Sequence, residues 1–227
     1  MLRRLRNKVI VSVQAMKGEP LYAQDAMVAM MKSVVKGGAG GLRVAGERDV
    51  KLAKSLFEVP VIGITKPEVL PSNWKNVVYI TPSIEDVKLL INAGADVIAF
   101  DGTQRKRDGG CNVSDIIKFI KINKKLSMAD ISNVDEALEC ERLGADIIST
   151  TLAGYTNTSI LNGDTPDFEL LKKLVEKLKT PVILEGRIWT PQEVKKAFEI
   201  GAYAVVIGSA ITRPQIITKR FVNYMDT

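Results

Sequence analysis

Two ionisable side chains, each closing an apolar run, could take up and return a proton in one active site. Lys66 ends the run PVIGITK, and Glu185 lies at the end of PVILEG. A lysine acts as a base only when it is neutral, and burial near Arg43 favours that form. We therefore predict that Lys66 is a principal acid–base group and that Glu185 is its partner across the site. The alternative is an ion pair in which Lys66 only closes the mouth of the fold.

The chain contains no histidine, which removes several mechanisms at once. A serine–histidine or cysteine–histidine nucleophile pair is excluded, and so is a histidine-rich metal site. Acid–base work near neutral pH must then fall to lysine, aspartate, glutamate, tyrosine or cysteine with a shifted pKa. The two cysteines, Cys111 and Cys140, offer neither a disulfide framework nor metal-ligand spacing. We expect no metal, and a reducing, cytoplasmic location.

Other polar residues lie at or near the ends of apolar runs, among them Gln14, Arg43 and Asp130. Buried parallel strands are apolar throughout, so a polar side chain at the end of such a strand faces a crevice outside the sheet. The carboxyl ends of parallel barrel strands meet on one face, where such barrels carry their chemistry. We interpret these three residues as groups that bind and orient the hydroxyl and carbonyl oxygens of a substrate.

Asp101, which ends the run DVIAFD, has two interpretations. It could contact the substrate, or it could pair with Arg105 or Arg107 and brace the loop that follows. Thr150, Thr151 and Tyr155 follow the sixth apolar run, and we interpret them as part of the wall.

Glycines after the seventh and eighth runs predict a phosphate site. Gly186 follows PVILE, and Gly208 with Ser209 ends VVIGS. In many barrels these two loops and the start of a short helix bind phosphate through backbone N–H groups, to which a side chain would block access. Arg187 and Arg213 flank the pocket and could balance its charge. The alternative is that each glycine merely makes a tight turn.

A repeated phrase indicates the elements that must position these groups. A helix end, a glycine suited to a left-handed turn and a buried strand recur about every fifty residues. The copies are NAGADVIAFD (92–101), RLGADIISTT (142–151), EIGAYAVVIGS (199–209) and, more weakly, KGGAGGLRVAG (36–46). Four copies, each with a further strand between it and the next, predict eight strand–helix units.

Eight such units predict an α/β fold, a single (β/α)8 TIM barrel formed by one domain over residues 1–227. An open doubly wound sheet is the alternative. Amphipathic stretches with suitable first-turn residues predict helices between the strands, including 86–93, 114–122, 134–143, 166–178 and 191–200. The arginine-rich first residues are expected to form a short helix or segment under the barrel floor.

The composition of the chain limits the kinds of molecule that it is expected to bind. Apolar residues make up 46% of the chain and charged residues 26%, which is ordinary for an α/β protein with a large core. The net charge of +6 is scattered over predicted helix faces without a recognition motif, so we expect no nucleic acid as partner. No apolar run is long enough for a signal peptide or a membrane span. The sequence leaves the oligomeric state open, with a homodimer as one expectation.

The residues also resemble a known family, the N-acetylmannosamine-6-phosphate 2-epimerases, nearly from end to end. The segments that carry the resemblance are IVSVQAMKGEPLY, LRVAG, PVIGITK, VYITPS, AFDGTQRKR, MADIS, STTLAGYT, LEGRIWTP and VVIGSAITRP. Single pieces such as VVIGSAIT occur in other phosphate-binding barrels, whereas the full set in this order is specific. Gly102 departs from the family, which usually has alanine there.

The resemblance implies interconversion of N-acetylmannosamine 6-phosphate and N-acetylglucosamine 6-phosphate in sialic acid breakdown, without metal or cofactor. Lys66 matches the catalytic lysine, and Glu185 matches the glutamate that assists it. The substrate-binding residues of the family are matched by Gln14, Arg43, Asp130 and Arg213. The hydrogen on C2 of the open-chain sugar lies next to the C1 aldehyde, so a neutral amine can remove it if donors stabilise the developing oxyanion.

Two other functions stay open at this point. Lys66 could attack a carbonyl and form a Schiff base, as in a lysine aldolase on the same barrel. Alternatively, the barrel could bind a phosphosugar without catalysis, with Lys66 and Glu185 as ligand contacts. A metal-dependent epimerase is disfavoured because histidine ligands are missing.

Overall fold

Eight parallel strands close into a barrel in the computed structural model, which describes residues 1–107, 110–159 and 163–225. The strands follow one another around the barrel in chain order, and the first pairs with the eighth. The predicted single TIM barrel is confirmed, and the open doubly wound sheet is excluded. Of the predicted domain, residues 108–109, 160–162 and 226–227 lie outside the described residues.

The strands are β1 (Val9–Val13), β2 (Gly41–Ala45), β3 (Val61–Ile64), β4 (Val97–Asp101), β5 (Leu126–Asp130), β6 (Ile147–Ser149), β7 (Val182–Glu185) and β8 (Ala204–Ile207). The helices are α1 (Gln24–Lys36), α2 (Gly46–Leu56), α3 (Ile84–Asn92), α4 (Val113–Ile122), α5 (Val134–Leu143), α6 (Phe168–Lys177), α7 (Pro191–Ile200), α8 (Ser209–Thr212) and α9 (Pro214–Met225). Within the residues that the structure describes, no helix combines the length and apolar character needed to cross a membrane.

Side-chain caps decide where several helices begin. Ser83, Asn112 and Thr190 each accept a hydrogen bond from the backbone N–H three residues later, and the acidic side chain there accepts one in return. The helices predicted over 134–143 and 191–200 have those bounds in the structure. The other predicted helices differ from α3, α4 and α6 by one or two residues at an end, because the capping residue starts each helix.

The glycines of the repeated phrase do what the pattern predicts. Gly144 and Gly201 end α5 and α7 with φ of 90° and 113°, and Gly94 follows α3 with φ of 94°. Residues with a β-carbon rarely adopt these angles, so glycine turns each helix back towards the next strand.

Strand alternation separates the barrel interior from the layer between strands and helices. In β3, Ile62 and Ile64 pack inside the barrel, whereas Val61 packs in the core that includes the helices. The inward series continues two residues further to Lys66, and in β7 it runs from Ile183 to Glu185. The period of two thus brings side chains from separate strands to one mouth.

The first residues close the opposite end of the barrel. They form a 3₁₀ helix, Leu2–Leu5, in which Leu5 is fully buried against the interior cluster that contains Ile10 and Ile62. The Tyr203 hydroxyl donates to the Leu2 carbonyl, which ties the helix to the start of β8. The structure thus places the segment at the floor, as the sequence predicts.

Candidate active site

A cavity of about 310 Å³ opens where the inward series ends. All the predicted site residues except Asp130 line it: Gln14, Arg43, Lys66, Glu185, Gly186, Arg187, Gly208, Ser209 and Arg213. Asp130 is fully buried and contacts the cavity only through its neighbours. Residues from β1, β2, β3, β7 and β8 therefore meet in one site.

Arg43 joins two carboxylates at the floor of the cavity. Its Nη1 donates to Asp130 Oδ1 at 3.0 Å and to Glu185 Oε2 at 2.9 Å, and its Nη2 donates to Asp130 Oδ2 at 2.6 Å. The Arg43 side chain is only 1% exposed. Burial works to lower the pKa of Arg43, but the charges of Asp130 and Glu185 more than offset it, so that the pKa is raised. Arg43 is thus a permanent buried cation.

Lys66 faces the same cavity with a different partner. Its Nζ donates to Gln14 Oε1 at 2.8 Å, and Gln14 Nε2 donates to Ser12 Oγ at 2.8 Å. Burial, followed by the positive charge of Arg43, lowers the pKa of Lys66 to about 8. The ammonium form still predominates at pH 7, but a minor fraction of this lysine is neutral there, as a base requires. The structure gives no direct Lys66–Glu185 hydrogen bond among the described residues.

Glu185 has the opposite tendency. Burial raises its pKa above the ordinary value, and the charge of Asp130 adds to the shift, while Arg43 and the Thr151 hydroxyl oppose it. A glutamate with a raised pKa retains its proton more readily and can act as an acid. Thr150 fixes the backbone beneath it, since its Oγ1 donates to the Glu185 carbonyl and accepts from the Glu185 N–H, both at 3.0 Å.

The loops after β7 and β8 present free backbone donors. Gly186 has φ of 110° and Arg187 has φ of 55°, so two successive residues occupy the left-handed region after β7. Among the described residues, no backbone carbonyl accepts from the N–H groups of Gly186, Arg187, Gly208 or Ser209. Ser209 also opens the short helix α8. Donors of this kind converging on one cavity suit an anion.

The two arginines at this end have different surroundings. The Arg187 guanidinium donates to the Ala153 and Thr165 carbonyls and lies 5.0 Å from the centre of the Tyr155 ring, so it braces the loop after β6. Arg213 pairs with Glu19, and its buried Nε has no hydrogen-bond partner among the described residues. Arg213 therefore keeps donor capacity at the cavity wall.

Asp101 has the bracing arrangement foreseen as its second interpretation. Its carboxylate pairs with Arg105 at 2.6 Å and accepts from the Thr103 backbone and hydroxyl, while Arg107 donates to its carbonyl. Asp101 does not line the cavity, because Arg105 draws its carboxylate into the β4–α4 loop.

The chain is similar to known proteins over most of its length. The family model described as "Putative N-acetylmannosamine-6-phosphate epimerase" matches residues 27–227. The chain belongs to this epimerase family. A relative from Caldanaerobacter subterraneus subsp. tengcongensis, named "Putative N-acetylmannosamine-6-phosphate 2-epimerase", is 46% identical over 228 residues, covering 99% of this chain and 93% of its own. A relative of the same name from Clostridioides difficile is 44% identical, covering 100% and 99%.

A solved structure agrees with this assignment. The N-acetylmannosamine-6-phosphate 2-epimerase from Clostridium perfringens superposes with a TM-score of 0.92 at 44% sequence identity, over 99% of this chain and 96% of the other. The resemblance to the epimerase family noted in the sequence is confirmed.

This member of the epimerase family has site residues that sequence reasoning missed or set aside. Thr151, interpreted as wall, contacts Asp130 and Glu185 as well as lining the cavity. Ser12 lines the cavity and holds Gln14. Ser12 lies in the inward series of β1, two residues before Gln14, and strand alternation alone could have identified it.

Proposed function

We propose that the chain interconverts N-acetylmannosamine 6-phosphate and N-acetylglucosamine 6-phosphate by moving the proton on C2 of the open-chain sugar. The observation that carries the proposal is a lysine with a lowered pKa and a glutamate with a raised pKa in one cavity. Two groups whose environments push their pKa values apart in this way are suited to act as base and acid. Family membership supplies the identity of the substrate.

In one direction, neutral Lys66 accepts the C2 proton and becomes an ammonium. Negative charge develops on the C1 oxygen and needs a donor. Gln14 suits this role, because its oxygen accepts from Lys66 and one Nε2 hydrogen goes to Ser12, which leaves the second hydrogen for the substrate. The same contacts place this donor beside the base.

Protonated Glu185 then delivers a proton to the other face of C2 and becomes a carboxylate. Its Oε2 is held by Arg43, which stabilises that charge as it forms. Transfer of one proton from Lys66 to Glu185 through solvent restores the starting state, so that the net reaction is isomerisation alone. In the reverse direction Glu185 is the base and Lys66 is the acid. No cofactor enters this scheme, since the two side chains carry both protons.

The phosphate group of the substrate is assigned to the loops after β7 and β8. The free N–H groups of Gly186, Arg187, Gly208 and Ser209 support this assignment, and Arg213 contributes charge. Asp130 acts on the substrate through Arg43, which it holds with two hydrogen bonds.

We also propose a cytoplasmic homodimer for this enzyme of sialic acid breakdown. Both cysteines are free thiols, which suits a reducing compartment. Helix α9 leaves Phe221 72% exposed and Val222 53% exposed, an apolar face that a second copy could cover. Sedimentation of the intact chain and of Phe221→Lys tests the dimer, with a shift towards monomer expected for the variant.

Isotope labelling tests the reaction and separates it from an aldolase. In deuterated water the epimerised product must carry deuterium at C2, because the returning acid exchanges with solvent. Borohydride added during turnover should leave the protein mass unchanged, whereas a Schiff-base enzyme would gain the mass of the reduced substrate on Lys66. Product free of deuterium, or a Lys66 adduct, would reject the proposal, and binding without turnover would leave a non-catalytic phosphosugar protein.

A further inference from the structure

One hydroxyl group contacts both carboxylates at the floor of the cavity, that of buried Asp130 and that of partly buried Glu185. Thr151 Oγ1 lies 2.8 Å from Asp130 Oδ1, 3.0 Å from Glu185 Oε2 and 2.9 Å from Ser149 Oγ. We infer that Thr151 is a positioning residue whose single proton turns between Asp130 and Glu185 as Glu185 loses and regains its own. This inference rests on the proposed role of Glu185 as acid and base.

Ser149 and Thr151 each have a single hydroxyl hydrogen to donate. Ser149 is fully buried, and Thr151 is its only side-chain hydrogen-bond partner within the described part of the chain. Because a buried hydroxyl normally donates its hydrogen, Ser149 donates to Thr151. The one hydrogen of Thr151 is then left for two carboxylate oxygens.

That single hydrogen cannot satisfy two ionised carboxylates. With both charged, one oxygen would approach Thr151 Oγ1 within hydrogen-bond distance without a proton between them. The arrangement is complete when one carboxyl carries a proton: Glu185 then donates to Thr151, and Thr151 donates to Asp130. When Glu185 is ionised, the Thr151 hydrogen turns to it.

Arg43 decides which carboxyl accepts the proton. Both oxygens of Asp130 receive N–H groups from Arg43, whereas Glu185 receives one, on Oε2. Asp130 is therefore the more strongly hydrogen-bonded of the two carboxyl groups, and the changing proton belongs to Glu185. Both described contacts of the Glu185 carboxyl, from Arg43 and Thr151, are on Oε2, which is therefore the oxygen that gains and loses the proton.

The charged groups that face Glu185 are Arg43 from β2, Lys66 beyond β3 and Asp130 from β5. With Lys66 neutral and Glu185 protonated, or with both charged, the net charge of these four groups is zero. In the charged state Thr151 turns its hydrogen to Glu185, and Asp130 keeps its two hydrogen bonds from Arg43 but loses the one from Thr151. The same residues at the floor of the cavity can then support the reaction in both directions.

The experiment compares Thr151→Val, which replaces the hydroxyl by a methyl of similar size, with Thr151→Ser, which retains it. Thr156→Val is the control: this buried threonine in the same loop contacts neither carboxylate. For each, kcat and KM are measured against pH in both directions, with deuterium incorporation at C2. Thr151→Ala carries the same test should Thr151→Val fail to fold.

Thr151→Val should lower kcat roughly ten- to hundredfold, the size expected for a lost hydrogen bond to a charged group. Loss of a donor to ionised Glu185 raises the pKa of that carboxyl, so the limb of the kcat/KM profile to which it contributes moves to higher pH. Thr151→Ser should restore both properties, and Thr156→Val should change neither.

Two outcomes overturn the inference. If Thr151→Val retains the wild-type rate and the wild-type pH dependence, the Thr151 hydroxyl does not respond to the protonation state of Glu185. If only KM rises, Thr151 is a substrate contact. In both cases wild-type enzyme still places deuterium at C2, so the proposed function stands. If wild-type enzyme places none there, the proposed function itself fails.

Discussion

At the scale of single residues, Arg43 sets the electrostatics of the site. Its positive charge helps to lower the pKa of Lys66, and its hydrogen bonds hold Asp130 and Glu185. Two carboxylates that would be costly to bury separately become acceptable around one guanidinium. Lys66 thus owes its lowered pKa partly to a residue that transfers no proton, whereas burial raises the pKa of Glu185 against the opposing charge of Arg43.

Removing the base tests the central assignment. Lys66→Ala should fold, bind the phosphosugar and lose at least about a thousandfold in kcat, as expected for a principal acid–base group. Lys121→Ala, at an exposed position on α4, is the control and should keep wild-type turnover. Steady-state rates in both directions decide, and a Lys66→Ala enzyme that retains a tenth of the rate would refute the assignment.

Replacing Arg43 should lower the free energy of unfolding as well as the catalytic rate. Arg43→Met leaves Asp130 and Glu185 buried without their partner, and breaking such a pair typically costs about 3–5 kcal/mol. Arg142→Ala breaks an exposed pair with Glu139 and should cost about 0–1 kcal/mol. Urea denaturation at neutral pH measures both, and equal losses would show that the buried network contributes little to stability.

Sequence reasoning found the side chains of the cavity but not how they pair. Lys66 and Glu185 could be predicted because each ends an apolar run in a chain without histidine. The partners they choose depend on strands far apart in sequence: Lys66 bonds Gln14, and Glu185 bonds Arg43. Thr151 gave no signal of its own, because its role arises only where β5 and β7 bring two carboxylates together.

At the scale of elements, most of the fold could be predicted from the repeated helix–glycine–strand phrase. Each copy states locally where a helix stops and a strand starts, so the eightfold alternation could be predicted without long-range information. Helix starts were less certain, because α3 begins after the Ser83 cap, two residues before the predicted start, and α6 begins after Asp167. Substituting the glycines that end these helices tests whether their turns require a residue without a β-carbon.

Gly144→Ala and Gly201→Ala compare two equivalent turns. Both residues have left-handed φ, so an added β-carbon should destabilise each by about 1–2 kcal/mol. At Gly144 the new carbon meets no atom within 4 Å, whereas at Gly201 it comes within 2.9 Å of Val175 Cγ1. Overpacking should cost Gly201→Ala about 1–3 kcal/mol more. Urea denaturation measures the difference, and equal losses would mean that Val175 moves aside freely.

At the scale of the whole molecule, barrel closure is what turns separate strand ends into one site. β1 and β8 are adjacent only because the sheet closes, and their ends bring Gln14 beside the loop of Gly208. Lys66 beyond β3 and the loops beyond β7 and β8, to which we assign the phosphate, line one cavity. A substrate held at both ends has its reacting carbon oriented by the fold itself.

The phosphate group should therefore affect turnover as well as binding. Unphosphorylated N-acetylmannosamine, even at saturating concentration, should turn over at least about a hundredfold more slowly, because the remote group no longer orients C2 against Lys66. Inorganic phosphite added with this sugar can fill the loops of Gly186 and Gly208, and should restore part of the rate. Initial rates with and without phosphite measure both effects. Comparable turnover of the two sugars at saturation would show that these loops do not hold the phosphate during catalysis.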